Sequence, residues 1–248
     1  MIRWIQTLAL AALSGAAAFS GSLKIYTEVS PPYQIRSADG NLSGLAVEVV
    51  QEIQKRVGNA DPIQVVPWTR GYNEVLSDPD VVLFSMGRTE DREPLFHWVG
   101  PISEITYSFF LKASSRIVIK SLDDAKKLGR IGVYKDDARD QFLTKAGFTN
   151  LDRTTDSATN VRKLMADRLD AFTSSRSGVA DAVRAAGYHS EDVKESLPFF
   201  RVQLCLAFSR RTPEATVKAW QMALNAMKKD RTYEKIFHKY LPNQPLPK

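Results

Sequence analysis

Val81–Pro101 reads VVLFSMGRTEDREPLFHWVGP. A four-residue apolar run, Val81–Phe84, gives way at Ser85-Met86-Gly87 to a polar turn. The turn carries Arg92, and the aromatic segment Phe96-His97-Trp98 follows. The apolar run predicts a strand buried on both faces of a parallel sheet. In open α/β sheets, ligands lie beyond the carboxyl ends of such strands. This stretch therefore predicts an α/β protein that presents an arginine where a small anion binds.

Working outward, strand-like and helix-like segments alternate. Leu23–Thr27 and Ile63–Val66 are short apolar or β-branched runs. Between them, Leu45, Val49, Val50, Ile53 and Val57 share one helical face, with Gly58 placed to end the helix. The pattern restarts at Ser121, a cap for a helix over Leu122–Leu128, followed by a strand over Arg130–Tyr134. Ser157 is placed to cap the next helix, Leu169–Thr173 is the next strand, and Gly178–Ala186 closes the unit. The tail holds the apolar run Val202–Phe208 and two helices. The first opens at Thr212-Pro213-Glu214, with a cap, then proline, then an acid. Helices separating strands predict two α/β units on largely parallel sheets.

Composition narrows the function classes. The 248 residues are 44% hydrophobic and 25% charged, an ordinary globular balance. The net charge of +6 is spread without a basic run, so nucleic acid is not an expected partner. Arg3, the apolar stretch Trp4–Leu13 and Ala16-Ala17-Ala18 read as a secretory signal peptide over residues 1–20, cleaved between Phe19 and Ser22. The one cysteine, Cys205, excludes an internal disulfide and offers no lipid-anchor site after the signal. A free, monomeric periplasmic protein is expected.

Catalysis has little support. His97, His189 and His238 are scattered without metal spacing, so no metal or other cofactor is expected. No nucleophile elbow and no phosphate-binding glycine loop occur. The chain is read as a binding protein with no catalytic residues.

Ser85-Met86-Gly87-Arg88-Thr89-Glu90-Asp91-Arg92 resembles the segment that grips the ligand carboxylate in bacterial solute-binding proteins. The resembling branch is family 3, the polar-amino-acid binders of ABC transporters, with the type II periplasmic fold. Other motifs follow in that family's order. They are the opening strand and turn Tyr26-Thr27-Glu28 to Pro31-Pro32-Tyr33, a hairpin and helix start at Asp39-Gly40 and Gly44, the first-domain binding loop Pro67-Trp68, Ser121-Leu122-Asp123-Asp124 before Ile131-Gly132-Val133, Leu169-Asp170-Ala171, and Tyr233-Glu234-Lys235-Ile236. The resemblance covers nearly all of residues 22–241. It implies two lobes that close by a hinge: lobe I from 22–103 plus 201–248, and lobe II from 104–200. The hinge is expected in two crossing segments, 102–104 and 200–203.

The resemblance also implies a site. Arg92 is expected to hold a carboxylate through paired hydrogen bonds, which guanidinium geometry suits. Ser85 and Gly87 belong to the same gripping segment, with Gly87 where a hydroxyl side chain is common. Trp68 is expected either to pack on the ligand or to fill the core, and Arg70 and Tyr72 lie near it. Glu28 is a candidate acceptor for a ligand ammonium or a solvated acid. Asp137, in Lys135-Asp136-Asp137-Ala138-Arg139, replaces a glycine- and threonine-bearing loop; it either meets a ligand group or caps a helix. Ser175 stands where many family members place the aspartate that takes the ligand's ammonium. The implied function is delivery of a small polar or anionic solute to the permease of an ABC importer. A dehydratase-like enzyme on the same fold and a sensory binding module are the alternatives.

Overall fold

The computed structural model describes residues 22–247. The signal-peptide expectation lies outside the described residues. The first strands, β1 (Lys24–Thr27), β2 (Ile35–Arg36) and β3 (Leu42–Ser43), lead into helix α1 (Leu45–Val57). β2 and β3 form the hairpin expected at Asp39-Gly40, with Gly40 at φ 86°. Gly58 ends α1 in the left-handed conformation, φ 72°, which glycine adopts without a Cβ penalty. β4 (Ile63–Val65), α2 (Trp68–Ser77) and β5 (Val81–Arg88) follow. Next come β6 (Phe96–Lys112), α3 (Leu122–Lys126), β7 (Ile131–Tyr134) and α4 (Ala138–Lys145). β8 (Leu151–Thr154), α5 (Ser157–Met165), β9 (Ala171–Ser175) and α6 (Val179–Ala185) complete the middle of the chain. β10 (Val193–Ser209), α7 (Glu214–Lys229) and α8 (Thr232–Tyr240) complete the fold.

Eight strands form one sheet in the order β4-β1-β5-β10-β6-β9-β7-β8. The expected parallel pairing holds at the two ends, β4-β1-β5 and β9-β7-β8. It fails in the middle, where β10 runs antiparallel to β5 and β6, and β6 antiparallel to β9. The cause is the pair of 17-residue strands β6 and β10, each of which serves both units.

Alternation along these strands distributes the cores. Val82 and Phe84 face α1, α7 and α8, whereas Val81 and Leu83 face α2. On β6, Val99, Ile102 and Ile105 join the first core; further along the same strand, Phe109 and Leu111 join a separate core with Ile131, Val133 and Leu143. Phe110 points the other way, against Val161, Leu164 and Phe172. Residues 102–104 and 200–203, expected as hinge crossings, lie mid-strand in β6 and β10; Gln203 pairs with Glu104 and Leu204 with Ser103.

Four local expectations are corrected. The strand at Val81 continues past Phe84 to Arg88, because β10 supplies partners for Met86, Gly87 and Arg88. Trp68 opens a helix instead of lying in a loop, with Trp68, Gly71 and Val75 buried on one face. Asp156, not Ser157, caps α5, its carboxylate accepting from the amides of Ala158 and Thr159. Pro213 is the residue before α7, and the Thr212 hydroxyl instead shares a hydrogen bond with Ser209.

Candidate functional site

The carboxyl ends of β1 and β5 face the loop between β7 and α4, and a cavity of about 70 Å3 lies between them. It is small enough to enclose a compact polar group against the walls of both units. All seven sequence-predicted residues border it: Glu28, Trp68, Ser85, Gly87, Arg92, Asp137 and Ser175.

Arg92 follows a tight turn whose backbone folds back on Thr89, its N–H donating to Thr89 O at 3.1 Å. Arg92 is 1% exposed, and its guanidinium is buried with it. It donates to Gly87 O at 3.2 Å, to Asp136 O at 3.3 Å and to Gln141 Oε1 at 3.0 Å. The rings of Trp68 and Tyr72 lie 5.4 Å and 5.1 Å from it. Burial lowers its pKa, yet a guanidinium starts high enough to stay charged. Three bonds leave some of its five N–H groups for a solute.

Ser85 and Gly87 owe their placement to an irregularity in β5. Phe84 pairs with Leu206 and Met86 with Cys205, so Ser85 bulges out, at φ 62°. Its hydroxyl accepts from Gln34 Nε2. A Cβ on Gly87 would stand 3.2 Å from Ala138 Cβ and 3.3 Å from Val202 Cγ2. Glycine here lets the first turn of α4 approach closely, and a hydroxyl-bearing residue would push that turn away.

The opposite wall is the loop Lys135–Asp137. Asp136, at φ 61°, turns its carbonyl toward the first unit, where it accepts from Trp68 Nε1 at 3.2 Å and from Arg92. Asp137 caps α4, accepting from the amides of Arg139 and Asp140. Its carboxylate also pairs with the Arg139 guanidinium, both side chains being nearly buried at 10% and 12% exposed. Arg139 donates to Thr173 O at 3.1 Å and lies 4.6 Å from the Tyr107 ring. Burial works against the Arg139 charge, but Asp137 outweighs it and the pKa ends above its ordinary value.

Glu28 accepts from Tyr134 Oη at 2.9 Å, a bond that joins the two units. Burial raises its pKa from 4.5 to about 7; Tyr134 and Arg139 oppose the rise, and Asp137 adds to it. A carboxyl that holds its proton more tightly folded than unfolded stabilises the fold fully below its ordinary 4.5. That contribution is lost as pH rises through about 7. The thermal midpoint should therefore fall across that window by more in the parent than in Glu28→Gln, which stays neutral. Parallel midpoint curves for the two proteins would mean that Glu28 is ionised throughout.

Ser175 is held by its own turn: its hydroxyl accepts from Gly178 N at 3.0 Å and shares a hydrogen with Ser177 at 3.4 Å. It brings no fixed charge to the cavity. Arg70 is exposed and paired with Glu74, while Tyr72 backs Arg92. Sequence reading does not single out Gln34, Tyr107 or Tyr134, which also come to this site; isolated polar and aromatic residues give no periodic signal. Among the described residues, no cluster of His, Cys, Asp or Glu is arranged to hold a metal ion. No helix among them is long and apolar enough to cross a membrane.

A family model, bacterial extracellular solute-binding proteins, family 3, matches residues 23–243. The chain is 25% identical to a probable histidine-binding protein of Neisseria gonorrhoeae, covering 98% of this chain and 97% of that one. It is 24% identical to the L-cystine-binding protein TcyJ of Escherichia coli strain K12, covering 85% and 78%. Among solved structures, an ancestral arginine-binding protein bound to glutamine aligns with TM-score 0.76 at 24% identity, covering 89% of this chain and 97% of that one.

Proposed function

The chain belongs to family 3 of the bacterial extracellular solute-binding proteins, and from that membership we propose that it captures a small carboxylate-bearing solute for an ABC importer. The solute is an amino acid or amino-acid-like molecule, held between lobe I (22–103 plus 201–248) and lobe II (104–200). A monomeric periplasmic protein meeting an inner-membrane permease completes the reading.

The observation that carries it is Arg92, a buried cation at the junction of the two units, walled by aromatic rings, with N–H groups to spare. Such a group binds a carboxylate in a site from which water is excluded. Contacts between the two units support closure: Tyr134 to Glu28, Trp68 and Arg92 to Asp136 O, and, on the surface, Lys145 to Asp91 at 2.7 Å. A solute touching both walls adds differential contacts to the closed form and shifts the population toward it. The antiparallel pair β6-β10 runs through both units and is the element suited to bend.

Trp68 reports on this event. Its indole faces Arg92 at 5.4 Å and donates across the cavity, so tryptophan fluorescence should change when solute binds. The change should vanish in Trp68→Phe, while Trp98 and Trp220 remain. A titration of the parent with carboxylate solutes followed by fluorescence and calorimetry tests the reading; failure of every carboxylate to bind would refute it.

One observation supports a second reading. Glu28, with its pKa near 7, has the proton affinity that a general acid needs. An enzyme acting on a bound carboxylate would turn it over, so product analysis after prolonged incubation separates catalysis from binding.

A further inference from the structure

The ring of Tyr107 is fixed by its neighbours. Within β6 the residue pairs with Phe200 of β10 and with Ser175 of β9. The ring stacks on Phe200, centroids 6.2 Å apart, and the Arg139 guanidinium stands 4.6 Å from its centre. Tyr107 is 8% exposed and borders the solute cavity. Its hydroxyl makes no hydrogen bond among the described residues, yet it is not one of the polar atoms sealed from water there. The surface it keeps lies on the cavity that Tyr107 borders. The neighbouring tyrosines differ: Tyr33 is bonded to Ser103 and Ser177, and Tyr134 donates to Glu28.

The charges around the phenol select what it can meet. Arg139 acts on it most strongly, ahead of Asp137, Arg92 and Glu28. A cation so close repels an ammonium and favours an oxygen acceptor. Burial pushes the Tyr107 pKa up, so the phenol keeps its proton and can donate it. Arg139 gives Nε to Asp137 and Nη1 to Thr173 O. Its Nη2 has no partner among the described residues and is likewise not sealed from water. An O–H and a guanidinium N–H are therefore open, close together, at a cavity whose other cation is Arg92. Arg92 stands apart from them, on the rings of Trp68 and Tyr72.

We propose that Tyr107 is a specificity-determining residue: its hydroxyl, beside Arg139 Nη2, donates to a second oxygen acceptor of the solute while Arg92 holds the carboxylate. The inference rests on the carboxylate reading above and deepens it. It narrows the solute to a carboxylate that carries a further carboxylate or carboxamide. A solute ending in an apolar group would close both donors off from water without giving them a partner. Losing the Tyr107 bond alone should cost roughly threefold to tenfold in affinity.

The test is calorimetry with the protein L-amino acids and three matched sets that keep shape and remove the polar end. The sets are L-aspartate and L-asparagine against L-leucine, L-glutamate and L-glutamine against L-homoleucine, and glutarate and glutaramate against 5-methylhexanoate. The tightest binder should carry a second carboxylate or carboxamide and should bind more strongly than its apolar match, whose affinity is read by competition where it is weak. Tyr107→Phe keeps the ring on Arg139 and Phe200. It should lose roughly threefold to tenfold on that binder and nothing on the apolar match. If the parent binds carboxylates but its tightest has no second oxygen acceptor, the inference fails alone. It also fails alone if Tyr107→Phe changes neither member, or weakens both alike, because the hydroxyl is then a packing group or a contact of the shared carboxylate. If the parent binds no carboxylate of the panel, the functional reading fails and this inference falls with it.

Discussion

Arg92→Ala is expected to weaken carboxylate-solute binding by about 30-fold to several thousand-fold. Truncating one partner of a buried, hydrogen-bonded charge pair costs ~2–5 kcal/mol, and ~1.4 kcal/mol is one decade in affinity. The effect is large here because Arg92 is 1% exposed and its guanidinium is fixed by three acceptors. Water cannot easily take its place. The fold should survive the change: Asp136 O keeps its bond from Trp68, and Gly87 keeps its place in the pairing with β10. Arg92→Lys retains the charge but loses the planar fork, so it should recover only part of the affinity. Calorimetry on folded proteins, with circular dichroism as the control, reads the outcome. Equal affinities in parent and Arg92→Ala would reduce Arg92 to a clamp between the two units.

Asp137→Ala should destabilise the solute-free protein by about 3–5 kcal/mol, the usual cost of stranding one partner of a buried ion pair. Loss of the α4 cap adds about 1 kcal/mol. The stranded partner is Arg139, 12% exposed and packed on Tyr107. In the double variant Asp137→Ala with Arg139→Met no charge is left behind, and most of the loss should be recovered. Chemical denaturation at neutral pH measures both. A loss below about 1 kcal/mol in the single variant, within the range of a surface pair, would mean that Arg139 reaches water when alone.

Much of the fold was legible in short stretches. The apolar face of α1 and its terminating Gly58 follow from helical period and backbone freedom, and the runs at β1, β4 and β5 from their β-branched content. α2 was not legible, because Gly71 interrupts a short segment; its helix is held by Trp68 and Val75 packing on β5. The last residues of β5, Ser85 to Arg88, look like a turn in sequence because their strand partner comes from the far end of the chain.

The site divides in the same way. Arg92, Trp68, Glu28, Asp137 and Ser175, which line the cavity, were expected there from motif order, since each lies at or just beyond the end of a strand or the start of a helix; Ser85 and Gly87 were expected from the same motif but lie within β5. The Asp137–Arg139 pair was not, because side chains two residues apart do not meet on a helix. They meet because Asp137, at ψ −180°, is still outside α4. Gln34 and Tyr107 line the cavity and Tyr134 reaches it through Glu28; the three come from separate strands or loops, and only the packing of the two units brings them together. Local sequence thus determined the elements, their order and the cation at the cleft, because those depend on periodicity and on residues close in the chain. Tertiary structure alone decided the antiparallel junction, the bulge that turns Ser85 inward and the hydrogen-bond partners across the cavity, because those depend on contacts between distant segments.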